Sequence, residues 1–197
     1  MAQCDSMIAK DIEQSCENPI VRGLEADGII INRADIDFSA SSFDNTAKNI
    51  VKQLVLKTGK KGFKVVQMGN TPFNGAASNM EVGTYRNTWT HEIPIAVLDN
   101  GPEVCEKIID GLANGSFVLI LKNKHKGADG KAEYQVYGYY QGLTCSAGVN
   151  EKYSEETDGG WLMTLQEQRS PKSALFYFNT DSSTTETQFK ALLNTAA

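Results

Sequence analysis

The sequence is poor in the residues on which most metal and nucleophile chemistry depends. Histidine occurs twice, at His91 and His125, and cysteine four times, at Cys4, Cys16, Cys105 and Cys145, with no CxxC pair. A tetrahedral zinc site would have to draw its ligands from these few positions, at spacings that match no common zinc pattern. The expectation is reduced thiols, mostly buried as small hydrophobes, with no metal and no cofactor. Long apolar runs are also missing: nothing approaches the roughly 18–20 residues of a membrane span. The opening MAQCDSMIAKDIEQSC is broken by acids and polar residues, so it has no signal-peptide h-region. These absences point to a soluble protein made in a cytosol, with no membrane partner. Positive charge is not in excess either. Lys and Arg number 19 against 24 Asp and Glu, for a net charge of −5. That disfavours a broad basic face, and with it sequence-specific nucleic-acid binding.

What is present is ordinary for a globular chain. Of the 197 residues, 41% are apolar and 22% charged. That is enough to bury one real core. No low-complexity linker and no repeat divides the chain, so residues 1–197 are read as a single domain. Residues 1–18 are read as a short helix or an arm that orders on contact, because their apolar set (Met7, Ile8, Ile12) is thin.

Strand signals dominate the rest. GIIINRADIDF (28–38) passes from a β-branched run into alternation, which would put Asp35 and Asp37 on one face of a strand. NIVKQLVLK and FKVVQMG flank the turn 58–62 and read as a hairpin with a short glycine loop. Residues 69–85 have no period and are long for a connection. YRNTWTHEIPIAVL returns to strand character, with Pro94 requiring an edge or a bulge. DNGPEVCEKIIDGLANG is the one clear helix. Pro102 is in its first turn, Asp99 and Asn100 are candidate caps, and Val104, Cys105, Ile108, Ile109 and Leu112 form one stripe. SFVLILKNK is a strand apolar on both faces, AEYQVYGYYQGL its partner, and GGWLMTLQEQ and SALFYF two more strands. In SSTTETQFKALL a Ser or Thr caps a short final helix. The fold class is therefore mainly β, a sandwich or barrel with one flanking α-helix and a short C-terminal helix.

KTGKKGFK (57–64) is the one stretch that could suggest a phosphate loop. A Walker loop needs GxxxxGK[ST] opening a helix. Here Gly59 and Gly62 are three apart, Phe63 follows the second glycine, and KVVQM is strand-like. The hairpin tip is the better reading. A nucleophile would need His91 or His125 as its base, and neither has a partner nearby in the linear sequence. Glu155, Glu156 and Asp158 lie in a soft acidic loop without aromatic company. ADGKAE and TDGG lack the acidic ladder of a calcium loop. Tyr137 and Tyr139 share one strand face and Tyr134 and Tyr140 the other, a pattern of sheet surface or interface. No enzyme is expected.

The strand order before and after PEVCEKIIDGLANG, the long loop 69–85, and YQVYGYYQGLTCSAGVNEKYSEETDGGWLMTLQEQ share a layout with a known group. By it the chain resembles virion structural proteins of tailed bacteriophages, and more narrowly the tail-tube family and its relatives in contractile injection machines. The resemblance covers most of the chain but involves no diagnostic motif. It implies a β-sandwich or barrel flanked by one helix, extended loops, no active site, and rings, usually hexameric, stacked around a lumen. The implied partners are copies of the chain itself and other virion proteins. The implied location is the virion, assembled in the host bacterial cytoplasm. Head–tail connectors, neck proteins and capsid-decorating proteins share the layout. A small β-rich module for carbohydrate or protein is the reading from another class. On the tube reading, Lys57, Lys60 and Lys61 of the turn and Phe73, Asn74 and Met80 of the loop are the expected subunit contacts. A negative lumen would not hold a polyanion such as DNA.

Overall fold

The structure, a computed structural model, describes residue 8 and residues 10–13, 16–17, 19–127 and 129–196. The strands are β1 Leu24–Asn32, β2 Ser42–Phe43, β3 Ile50–Gln53, β4 Phe63–Val66, β5 Ala77–Glu81, β6 Thr88–Val97, β7 Phe117–Asn123, β8 Tyr134–Tyr137, β9 Thr144–Asn150, β10 Trp161–Ser170 and β11 Leu175–Tyr177. They form a seven-stranded sheet, β2-β3-β11-β8-β7-β1-β4, and a four-stranded sheet, β5-β6-β10-β9. Only β3 and β11 pair in parallel. The chain is mainly β, as its pattern of short strands leads one to expect.

β7 explains the layering. Its run FVLILKN lies between β1 and β8 and is buried on both faces. Val118 and Ile120 join Ile29 and Ile31 of β1 on one face, against Phe189 and Leu192 at the end of the C-terminal helix Ser182–Ala191. Leu119 and Leu121 point the other way, with Ile30, onto Ile93 and Ile95 of β6 and Met163 and Leu165 of β10. Ile109 and Leu112 of the central helix close that second core. Each such side chain contributes roughly 1.5–3 kcal/mol by leaving water. The layers run helix, seven-stranded sheet, four-stranded sheet.

Several local expectations need correction. The 58–62 hairpin does not form: β3 and β4 sit at the second and last places of the larger sheet, with four strands between them. β3 is already flanked by β2 and β11, while β4 takes the free edge of β1. Leu54 and Leu56, which alternate like strand residues, are buried where the connection crosses the sheet. β1 ends at Asn32 and a 3-10 turn, Arg33–Asp35, follows. Asp35 and Asp37 therefore lie off the strand. Asp37 Oδ1 instead accepts from Ser39 N, Ser39 Oγ and Ala40 N, the local bonding by which short polar side chains outcompete a ladder. β8 stops at Tyr137, and Gly138 at φ +79° turns the chain, so Tyr139 and Tyr140 do not continue its alternation.

The central helix spans residues 102–114, but its middle turn, Cys105–Ile109, is a π-turn. The extra residue per turn slips the stripe, leaving Ile108 substantially exposed while Ile109 and Leu112 are buried. Its N-cap is Gly101, whose N–H donates to Asp99 Oδ1 at 2.8 Å. The C-terminal helix is capped by Asp181 rather than by Ser or Thr. Asp181 Oδ1 accepts from Thr184 N at 2.8 Å, and that bond holds its carboxyl below the usual aspartate range. Pro94 is locally at an edge. β5 stops at the Ala77–Glu92 pair, and beyond it the Gln67 carboxamide takes over, donating to Ala96 O at 2.7 Å and accepting from Ala96 N at 3.2 Å. The expected helix or arm over residues 1–18 lies largely outside the described residues. None of the described ones among them is helical.

Candidate functional interface

The lysine turn is neither a phosphate loop nor a hairpin tip. It is a strap across the larger sheet, clasped by the chain's last described residues. Gly59 N donates to Ala196 O at 2.8 Å, Ala196 N to Lys60 O at 2.8 Å, and Gly62 N to Leu192 O at 2.7 Å. The glycine N–H groups that a phosphate would need are thus occupied by carbonyls. Lys57 Nζ donates to Ala34 O at 2.7 Å, and Lys60 Nζ lies 3.1 Å from Asp35 Oδ1. Burial pushes the Asp35 carboxyl up, but its bonds from Asn32 and Lys60 outweigh this and hold it below its ordinary range. Lys61 is exposed, its Nζ 5.9 Å from the centre of the Phe63 ring.

The long loop divides its residues. Phe73 is 3% exposed and packs between the sheets with Ile30, Ile93 and Leu121. It anchors the loop inside its own chain at φ +53°, a backbone region that bulky residues seldom adopt. It presents no outward surface. Asn74 is exposed, and Met80, 51% exposed, lies on β5. Lys61, Asn74 and Met80 face outward, but the structure does not gather all six expected contact residues into one patch. Lys57, Lys60 and Lys61 belong to the strap, Phe73 to the core, and Met80 to the edge of the other sheet.

That edge is the feature missed at the level of sequence. ASNME of β5 carries no apolar alternation, and all five residues are exposed. Among the described residues β5 pairs only with β6, and β9 only with β10, so both flanks of the four-stranded sheet are open there. The strands alternate in direction, so β5 and β9 run oppositely. The outer face of this sheet carries Glu92, Pro94, Ala96, Leu162, Thr164 and Gln166, opposite in parity to the buried Ile93, Ile95, Met163 and Leu165. The four strands contain no lysine and one arginine, Arg169, at the end of β10. Glu81 shares the outer face, accepting from the Thr90 hydroxyl.

The inner face holds the one constellation with catalytic-looking chemistry. Ser78, His91 and Glu167 stand side by side on β5, β6 and β10. His91 is 3% exposed. Its Nε2–H donates to Lys172 O at 3.2 Å, leaving Nδ1 to accept from the Ser78 hydroxyl at 2.7 Å. The Glu167 carboxylate is occupied elsewhere. Oε2 accepts from Gly138 N at 2.9 Å, and Oε1 from Tyr140 N at 3.1 Å and Gln141 N at 2.9 Å. It pins the tyrosine turn and does not orient the imidazole. Two cavities, of about 310 and 410 Å³, lie at Leu54, Tyr177 and Leu192 and at Asp44, Lys52 and Lys131, and neither includes Ser78 or His91. His125 is peripheral, its Nδ1 accepting from Val21 N at 3.4 Å. Among the described residues no three of His, Cys, Asp and Glu converge on one point, and no helix is long and apolar enough to cross a membrane. No family model, curated protein or solved structure matches the chain.

Proposed function

We propose that the chain is a non-enzymatic structural subunit that closes into rings through its four-stranded sheet, as a tail-tube-like component of a bacteriophage virion assembled in a bacterial cytoplasm. The observation that carries this reading is the pair of open edges of opposite sense. β9 of one copy laid beside β5 of the next continues the antiparallel alternation without a break. A ring closed this way leaves the four-stranded sheet no edge strand, which removes the aggregation hazard of bare β5 and β9. Six copies would make a barrel of roughly 24 strands, about 37 Å across before tilt at about 4.8 Å per strand, and so a channel rather than a packed core. The outer face of the sheet would line the channel with small and uncharged residues, Glu81 and Glu92, and almost no positive charge. That lining suits passage of a polyanion without retention.

Size exclusion with light scattering, followed by negative-stain images of the same peak, tests this. Rings of a defined subunit number are expected. Met80→Pro, which removes an N–H directed away from β6 on an exposed strand, is expected to abolish them while near-ultraviolet circular dichroism stays native. A strict monomer over a wide concentration range overturns the reading.

A further inference from the structure

Asn74, Asn100 and Asn114 are each followed by glycine. A glycine has no Cβ to hinder its amide, so such a pair can cyclise: the glycine nitrogen attacks the asparagine Cγ and ammonia leaves. All three asparagines are exposed, so access to solvent does not separate them. Hydrogen bonding does. Ring closure needs an attacking amide that is free of an acceptor and a carboxamide that is free to swing over it.

At two of the sites both groups are tied. Gly101 N donates to Asp99 Oδ1 at 2.8 Å, Asn100 Nδ2 donates to Gly159 O at 2.7 Å, and Asn100 Oδ1 accepts from Asn150 Nδ2 at 2.9 Å. Gly115 N donates to Gly111 O at 2.9 Å at the end of the central helix, and Asn114 Nδ2 donates to Asp110 O at 2.9 Å. Closing the ring at either site breaks native hydrogen bonds first. At the third site neither group is held: among the described residues, Gly75 N–H and the Asn74 carboxamide have no hydrogen-bond partner. The pair forms the tip of a turn closed by Ala76 N donating to Phe73 O at 3.0 Å, with Gly75 at φ +93°. Phe73 is anchored between the sheets, so the turn holds Asn74 and Gly75 out in solvent.

We infer that Asn74 is a site of spontaneous covalent modification, where the folded chain converts asparagine to aspartate and isoaspartate while Asn100 and Asn114 are spared. The bond from Gly75 N to Asn74 Cγ forms, the bond from Cγ to Nδ2 breaks, and Nδ2 departs as ammonia with the proton lost by the amide. Water then opens the cyclic imide. Addition at Cγ returns the ordinary main chain with an aspartate. Addition at the main-chain carbonyl carbon leaves the chain linked through Cγ, as isoaspartate. The net change is water gained for ammonia lost, with no other reactant. The product places a carboxylate in the turn that leads into β5, and isoaspartate adds a carbon to the main chain between the Phe73 anchor and that strand. The modified fraction records the age of the chain. This inference does not depend on the ring reading.

The test incubates the full chain, folded and in parallel unfolded in urea, at warm and mildly alkaline conditions. Peptide mapping over time, with fragmentation that separates aspartate from isoaspartate, gives the rate at each site. In the folded chain Asn74 is expected to convert roughly tenfold faster than Asn100 or Asn114, the factor that one retained hydrogen bond supplies. In urea the three rates are expected to converge. Asn74→Gln, whose longer side chain disfavours the ring, is expected to remove the rapidly formed acidic species seen by ion exchange. An inert Asn74 in the folded chain, equal rates at the three folded sites, or an acidic species that persists in Asn74→Gln overturns the inference. A preference for Asn74 that is undiminished in urea overturns it too, because the selectivity then belongs to the flanking residues and not to the fold.

Discussion

The seven-stranded sheet is covered on both faces, by the C-terminal helix and by the smaller sheet. The four-stranded sheet is covered on one face and open at both edges. The first has both faces covered, though its end strands β2 and β4 pair on one side only. The second keeps one face and two longer end strands, β5 and β9, turned to solvent. Both faces of the larger sheet are thereby core, and only one face of the smaller.

The sharpest way to break that comparison is a pair of truncations. Ile120→Ala, at a position with no exposure, is expected to cost about 2–5 kcal/mol in urea unfolding. Leu162→Ala, on the open face, is expected to cost less than about 1 kcal/mol. Equal costs would mean that the outer face is part of the folding core. Glu167→Gln tests the seam between the sheets. It leaves at least one of three N–H groups, of which that of Gly138 is buried, without its acceptor, and a loss of about 1–3 kcal/mol in thermal unfolding is expected. Gly62→Ala tests the strap on the covered sheet. A Cβ there would meet Ile29 Cγ2 at 2.7 Å and Leu192 O at 3.2 Å, so a loss of about 1–2 kcal/mol is expected, with ring formation unchanged. The smallest effect belongs to Asp35→Asn. The carboxyl is held below its ordinary value in the fold, so its contribution is present above that value and disappears as pH falls through the lower, folded one. The urea midpoints of wild type and variant should differ at about pH 7 and draw together as pH falls below the ordinary aspartate value of 3.8. A gap that persists in acid would show that the Asn side chain disrupts the Lys60 contact sterically and not through charge.

Where burial is strong, the larger sheet was legible. FVLILKN announces a strand covered on both faces, and Pro102 with the Ile109 and Leu112 positions announces the central helix. Pairing partners were not legible. NIVKQLVLK and FKVVQMG flank a glycine turn as hairpin strands do, but β2 and β11 hold both edges of β3, and β4 pairs with β1 instead. The candidate interface was scarcely legible at all, because an edge strand exposed along its length has no apolar face to alternate. ASNME looks like loop. Phe73 misled for the complementary reason: an aromatic in an aperiodic loop reads the same whether it anchors to a neighbour or to its own core.

The clasp between residues 57–62 and the chain near Leu192 and Ala196 has a consequence in time. Synthesis runs from the N-terminus, so the strap waits for more than half of the chain before its N–H groups find their carbonyls. β3 likewise waits for β11. Contacts of such long sequence separation form slowly. Until they form, a nascent chain has an unfinished larger sheet beside the exposed end strands of the smaller one. The order of synthesis therefore makes the newborn chain most open to wrong pairing just before its larger sheet is complete.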